Sequence, residues 1–326
     1  MKNKKLFWII SANILLITLI ILFSTVGSVN LGFGEIIHEL LTGDNQMVRT
    51  IVLKMRLPRN LLAVLVGANL AVAGLFLQAV MKNPLADPGI TGVSSGASVG
   101  AIIILLVSPA HTGILPIVAF VGGSIACILV YAMAWKKGLQ PNRIVLAGVA
   151  VNTILGGIIS FFSTMYSDRI QSAMLWLNGS LATKTWGDVE TLVGYSIVGL
   201  IASFFLIRSA NILQLGDEAA VNLGLNIHRA RIIISAVAVF LAATATAVVG
   251  IVSFVGLIVP HIARMLMGND HKYTLPFSMA LGSTVLLIAD TLGRTIGGSI
   301  EIPVGIIMAI VGGPFFLYLL RKKGAY

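Results

Sequence analysis

The amino-acid sequence predicts an all-α polytopic membrane protein with about ten transmembrane helices, organised as one domain over residues 1–326. Three observations carry this. The chain is 57% hydrophobic and only 10% charged. Apolar runs of about 20 residues, enough to cross the hydrocarbon core, recur from Leu6 to Tyr318. The 22 Lys and Arg residues gather unevenly at the ends of those runs.

In chain order, spans are expected over about 6–28, 60–81, 90–108, 115–135, 143–165, 189–207, 231–251, 254–267, 275–293 and 303–320. The first follows Lys4 and Lys5 as a signal peptide would. Its apolar run to Phe23 exceeds the usual signal length of about 7–15 residues and lacks an A-x-A ending, so it reads as a retained span. The eighth is short. Ser253 to Gly256 and Val259-Pro260-His261 predict a broken helix, which a bilayer tolerates only where protein satisfies the freed backbone groups.

With the N-terminus inside, the inner segments hold 15 of the 22 cations, among them Lys82, Lys136, Lys137, Arg231 and Arg264. The outer segments hold Arg49, Lys54, Arg56, Arg59, Arg169, Lys184 and Arg294. Both termini are therefore expected in the cytoplasm. Anionic membrane lipid beside the inner cations accounts for the net charge of +10 without nucleic acid.

No phosphate-binding G-x-x-x-x-G-K-[ST] and no H-E-x-x-H occurs, so neither a nucleotide site nor an enzyme is indicated. Cys127 is the lone cysteine, and no metal site or cofactor is expected. His261 reads as structural. Asp290 is the clearest acid inside an expected span, and Arg294 four residues on is its expected partner. Without a run of intramembrane carboxylates, an ion-coupled secondary transporter is disfavoured, as is a membrane-embedded enzyme.

Small residues at i, i+4 spacing form stripes at Ala63, Gly67 and Ala71, at Gly92, Gly96 and Gly100, and at Gly148, Asn152 and Gly156. Each permits close helix packing. The fifth span also carries Asn152, Thr153, Ser160, Ser163 and Thr164, for which pathway lining and interhelical hydrogen bonding both fit. Pro141 is expected to open that helix. Arg59 to Gly89 and Arg231 to His261 resemble each other, as two halves of an inverted repeat would.

Two polar features stand apart. Arg56 and Arg59, with Arg294, place positive charge at the outer rim, where they either snorkel to lipid phosphates or steer an acidic partner. The segment Leu213 to Arg231 is a polar interruption. Asp217 and Glu218 suit a helix N-terminus, Gly224 is a stop, and Leu215, Ala219 and Leu223 form an apolar stripe. A helix of about seven residues is too short to persist alone, so it rests on something.

The stretches RLPRNLLAVLVGANLAVAGLFLQAVMKNPLADPGITGVSSGASVGA, LQLGDEAAVNLGLN, GIVSFVGLIVPHIARMLMGNDHK and EIPVGIIMAIVGGPFFLYLL together resemble the FecCD-type permeases of ABC importers for ferric siderophores, haem and vitamin B12. The resemblance runs from about Arg56 to Leu320. It implies the vitamin-B12-importer-type (type II) ABC permease fold in a bacterial plasma (inner) membrane. Its implied partners are a second permease subunit, identical or homologous, two cytoplasmic ATPases and an extracytoplasmic binding protein. It assigns binding-protein docking to Arg56, Arg59 and Arg294, and a cytoplasmic gate to Asn83, Leu85, Pro141 and Asn142. A proline stands at Pro141 where the family has a hydroxyl residue. It makes 209–229 the coupling segment, with Gly216, Asp217, Glu218, Leu223 and Gly224 meeting the ATPase. From their polar character alone, Asn152, Thr153, Ser160 and Ser163 are the candidates for lining the pathway. The Leu177 to Leu181 turn is similar to siderophore permeases, with haem and vitamin B12 as alternatives.

Overall fold

The computed structural model describes residues 2–27, 32, 34, 45–136, 138–297 and 301–322. Lys137 and Lys323, two of the inner cations counted above, lie outside these. Ten principal helices follow one another: α1 (Lys2–Thr25), α2 (Leu57–Met81), α3 (Val93–Ile102), α4 (Leu115–Ala134), α5 (Pro141–Met165), α6 (Trp186–Phe205), α7 (Ile227–Val249), α8 (Val255–Met267), α9 (His271–Ile296) and α10 (Val304–Lys322). Among the described residues the only β feature is a single bridge between Trp135 and Leu139. Among the described residues, seven helices are long and apolar enough to cross a membrane, and those at Val93–Val107, Val255–Met267 and Val304–Tyr318 are shorter apolar ones.

The core is built around α2. Every residue from Val66 to Met81 is buried, and the helix packs against α6, α7, α8 and α9. The small-residue stripe explains this. A Cβ on Gly67 would come within 2.3 Å of the Gly282 carbonyl oxygen, and one on Gly74 within 1.8 Å of that of Gly256. Backbones touch here because there are no side chains between them. A second close pair joins α3 to α4, where Gly96 and Gly122 face each other.

Local chemistry sets the ends. Asn226 and Asp270 cap α7 and α9 by accepting from the backbone N–H groups of Arg229 and Lys272, and Thr185 with Asp188 forms a capping box on α6. Pro141 opens α5 after an extended Gln140. Lys82 ends α2 in the left-handed region at φ 48°.

Two features differ from the sequence expectation. The second span does not start near residue 60: Gln46–Arg49 and a π-helical turn, Thr50–Arg56, run without a break into α2, giving 36 continuous residues. Secondly, α8 is not broken at Pro260. The interruption falls earlier, between Gly250 at φ 80° and Phe254 at φ 69°, and the helix then runs through the proline. Proline cannot donate to the carbonyl four residues back. That carbonyl, Gly256 O, instead accepts from the buried Gln78 Nε2 at 3.2 Å. A neighbouring helix thus satisfies the group that the proline frees.

Candidate functional site

The segment between α6 and α7 is built from two short helices, Ile207–Gln214 and Asp217–Asn222. Gly216 at φ 108° turns the chain between them, and Gly224 at φ 76° ends the second. Leu213 and Ala220 are buried and seat the segment on its own permease. The expected stripe does not do so: Leu215 and Leu223 are 64% and 56% exposed, as is Val221 at 60%. Together with the exposed Glu218 they leave an apolar, acid-edged surface facing away from the protein.

Asp217 is the hub. Lys82 Nζ donates to its Oδ1 at 2.5 Å, and Arg231 Nη2 donates to Oδ1 and Oδ2 at 2.9 and 3.1 Å. Partial burial alone would push the Asp217 carboxyl up, but the Lys82 hydrogen bond and the Arg231 charge hold it below the usual carboxylate range. Arg231, itself buried, also donates Nη1 to the Leu139 carbonyl at 2.7 Å. One carboxylate therefore links the end of α2, the start of α7 and the turn that leads into α5.

Those same connections carry the expected gate residues. Asn83 follows Lys82, and its Oδ1 accepts from the Leu85 backbone N–H at 2.9 Å, closing a tight turn with Leu85 38% exposed. Pro141 and the exposed Asn142 begin α5 directly after Leu139.

Among its described residues, α5 buries only Ile144, Gly148 and Val151. Gly148 and Asn152 face protein. A Cβ on Gly148 would meet the Ile90 carbonyl, and Asn152 Nδ2 donates to the Gly89 carbonyl at 3.0 Å. Thr153 and Ser160 are exposed and Ser163 is half-buried. Thr153 and Ser163 back-bond to Val149 and Ile159, and Thr164 to Ser160, so these hydroxyls are satisfied within their own helix. Nothing lies over Gly156 or Gly157. The polar content of α5 thus divides between one packing contact and an open face.

The outer arginines are not a surface patch. Arg56, Arg59 and Arg294 are buried, at 6%, 9% and 4% exposure. Nor do Asp290 and Arg294 form the expected pair. Arg59 takes Asp290 in a two-pronged contact of 2.8 and 2.9 Å and reaches Glu301 at 2.7 Å. Arg294 Nη2 donates to the Phe23 carbonyl, Asn60 Oδ1 and Thr291 Oγ1. Arg56 Nη1 donates to the carbonyls of Ser24 and Thr25. The helical extension from Gln46 continues past these three and presents Arg49 and Lys54 as exposed cations. The trio clamps the C-terminal ends of α1 and α9 and the N-terminal end of α2 to the lead-in of α10.

Sequence reasoning also passed over Asp87. It lines a small cavity of about 120 Å³ with Ser94, Ser95, Thr246 and Ser253, where the turn before α3 meets the start of α8. Its Oδ1 accepts from the Gly89 N–H at 2.8 Å. Its position in a loop between two spans hid it, because the connection folds back against Gly256.

A family model described as the FecCD transport family matches residues 14–322. The chain belongs to the FecCD family. Among its FecCD relatives, the Fe(3+)-citrate import system permease protein YfmE of Bacillus subtilis is 38% identical over 321 residues, covering 98% of this chain and 96% of the relative. The Probable heme-iron transport system permease protein IsdF of Staphylococcus aureus is 38% identical, covering 98% and 97%. The Cobalamin import system permease protein BtuC of Halobacterium salinarum is 44% identical, covering 86% and 76%. A solved metal-chelate type ABC transporter in an inward-facing conformation matches with a TM-score of 0.85 and 27% identity, over 98% of this chain and 99% of that one. The protein is an ABC-importer permease of the FecCD family, and its fold is of the type II kind.

Proposed function

We propose that this permease carries a ferric siderophore into the cytoplasm, driven by two separate ATPase subunits that engage residues 209–229. Haem and vitamin B12 are the alternative cargoes, since relatives at similar identity are named for haem-iron and cobalamin as well as ferric citrate. The Leu177 to Leu181 turn supports the siderophore reading by its similarity to such permeases. A second permease copy or relative completes the pathway against the open face of α5. An extracytoplasmic binding protein delivers the cargo, with both termini of the permease in the cytoplasm. Arg56, Arg59 and Arg294 serve that docking by fixing the outer rim, and Arg49 and Lys54 supply exposed charge to steer an acidic partner.

The observation that carries the coupling role is the Asp217 hub. An ATPase that grips Leu215, Val221, Leu223 and Glu218 pulls on a carboxylate tied to α2 and to the turn before α5, which hold Asn83, Leu85, Pro141 and Asn142. Gly216 and Gly224 let the short helix sit between its two turns. The test is transport-stimulated ATPase activity of the reconstituted complex. Asp217→Asn and Leu223→Asp are each expected to lower it about tenfold while basal ATPase assembly persists; that loss corresponds to about 1.4 kcal/mol of coupling. Full stimulation in both variants would refute the assignment.

A further inference from the structure

A groove of about 760 Å³ runs between α4 and α7, and its end at Leu139 and Ile232 adjoins the Asp217 hub. Its walls are apolar, with Phe120, Ile128, Trp135, Ile232, Val239 and Phe240 prominent. From Phe120 to Trp135 it extends about 22 Å at 1.5 Å per helical residue, more than one leaflet of a hydrocarbon core about 30 Å thick. Ser124, Tyr131 and Ser235 interrupt the wall. Ser235, only 3% exposed, and Tyr131 lie side by side, with their hydroxyl oxygens enclosed beside each other.

The Trp135 end of the groove identifies the occupant. Trp135 stands 52% exposed just past the end of α4, where an interfacial aromatic belongs, with its ring 6.3 Å from that of His228. Tyr131 is one turn, about 6 Å, further into the membrane. The mouth beside Trp135 and His228 carries the exposed Lys136 and Arg229, and no carboxylate pairs with either among the described residues. From this geometry we infer that the groove is a binding site for an anionic glycerophospholipid. An acyl chain lies along Phe120 to Ile128, and the phosphate is held by Lys136 and Arg229.

The test places the full-length chain in nanodiscs containing phosphatidylglycerol with a photoreactive acyl chain, or the same chain on phosphatidylcholine, and maps the adducts by mass spectrometry. Phosphatidylglycerol adducts are expected to concentrate on 120–135 and 232–240. Ala236→Phe fills the groove from its exposed side and should remove them while leaving adducts on α1 unchanged. Lys136→Ala and Arg229→Ala should each cut the preference for phosphatidylglycerol about fivefold. Adducts spread evenly over the outer helices, or indifferent to Ala236→Phe, would overturn the site. Equal labelling by the two lipids would overturn its anionic selectivity. Loss of labelling when a second permease subunit assembles would show a protein interface in its place.

Discussion

Arg59 shows how far a residue's role depends on partners that are distant in the chain. Its position in the RLPR stretch was legible in the sequence, but its pairing with Asp290, 231 residues away, was not. Local spacing offered Arg294 as the partner, and the fold supplied a better one from α2. Removing one member of a buried pair strands the other charge. Arg59→Ala is therefore expected to cost about 3–5 kcal/mol, read as a lowered Tm in detergent, whereas Arg59→Met with Asp290→Leu recovers most of it. An unchanged Tm in the single variant would contradict the clamp. Asp217 makes a second prediction at this scale. A carboxyl held below its ordinary value of 3.8 contributes stability above that value and loses it as pH falls through the lower, folded one. Protection from hydrogen exchange over 214–225, taken relative to the unfolded chain at each pH, should therefore stay flat from neutral pH down to about 5 and fall only in stronger acid. Loosening already near pH 6 would count against the Lys82 and Arg231 contacts.

Among the elements, periodicity revealed that helices exist and where small residues lie, and left open what those residues touch. The stripe on α2 buries against α8 and α9, while that on α5 splits, with Gly148 pressed on Ile90 and Gly156 facing open space. The contrast is testable within one chain. Gly74→Val places atoms where the Gly256 backbone already lies and should cost about 1–3 kcal/mol or more, seen as lost folded yield or a lower Tm. Gly156→Val should leave the Tm of the isolated permease unchanged. Equal effects would show that the α2 contact is not close-packed. The misplaced break in α8 has the same origin. Pro260 is a strong local signal, but whether a proline interrupts a helix depends on a donor from elsewhere, here Gln78.

For the whole molecule, composition and apolar runs were sufficient to read an all-α membrane fold, because a bilayer admits few other solutions for so apolar a chain. The four motif stretches pointed to the FecCD family, and the family match over residues 14–322 bears that out. Less legible was the wiring between ends. The Asp217 hub joins residues 82, 139, 217 and 231, which no local pattern connects. Cargo is hardest to read because relatives of nearly equal similarity are named for ferric citrate, haem-iron and cobalamin. The central claim is that the energy for uptake enters through this hub from separate ATPase subunits. The most direct measurement is uptake of an iron-55 siderophore into proteoliposomes holding the permease, with and without its ATPase, under ATP or an imposed ion gradient. Uptake should require both the ATPase and ATP and fall sharply in Asp217→Asn; uptake by the permease alone on an ion gradient would contradict it.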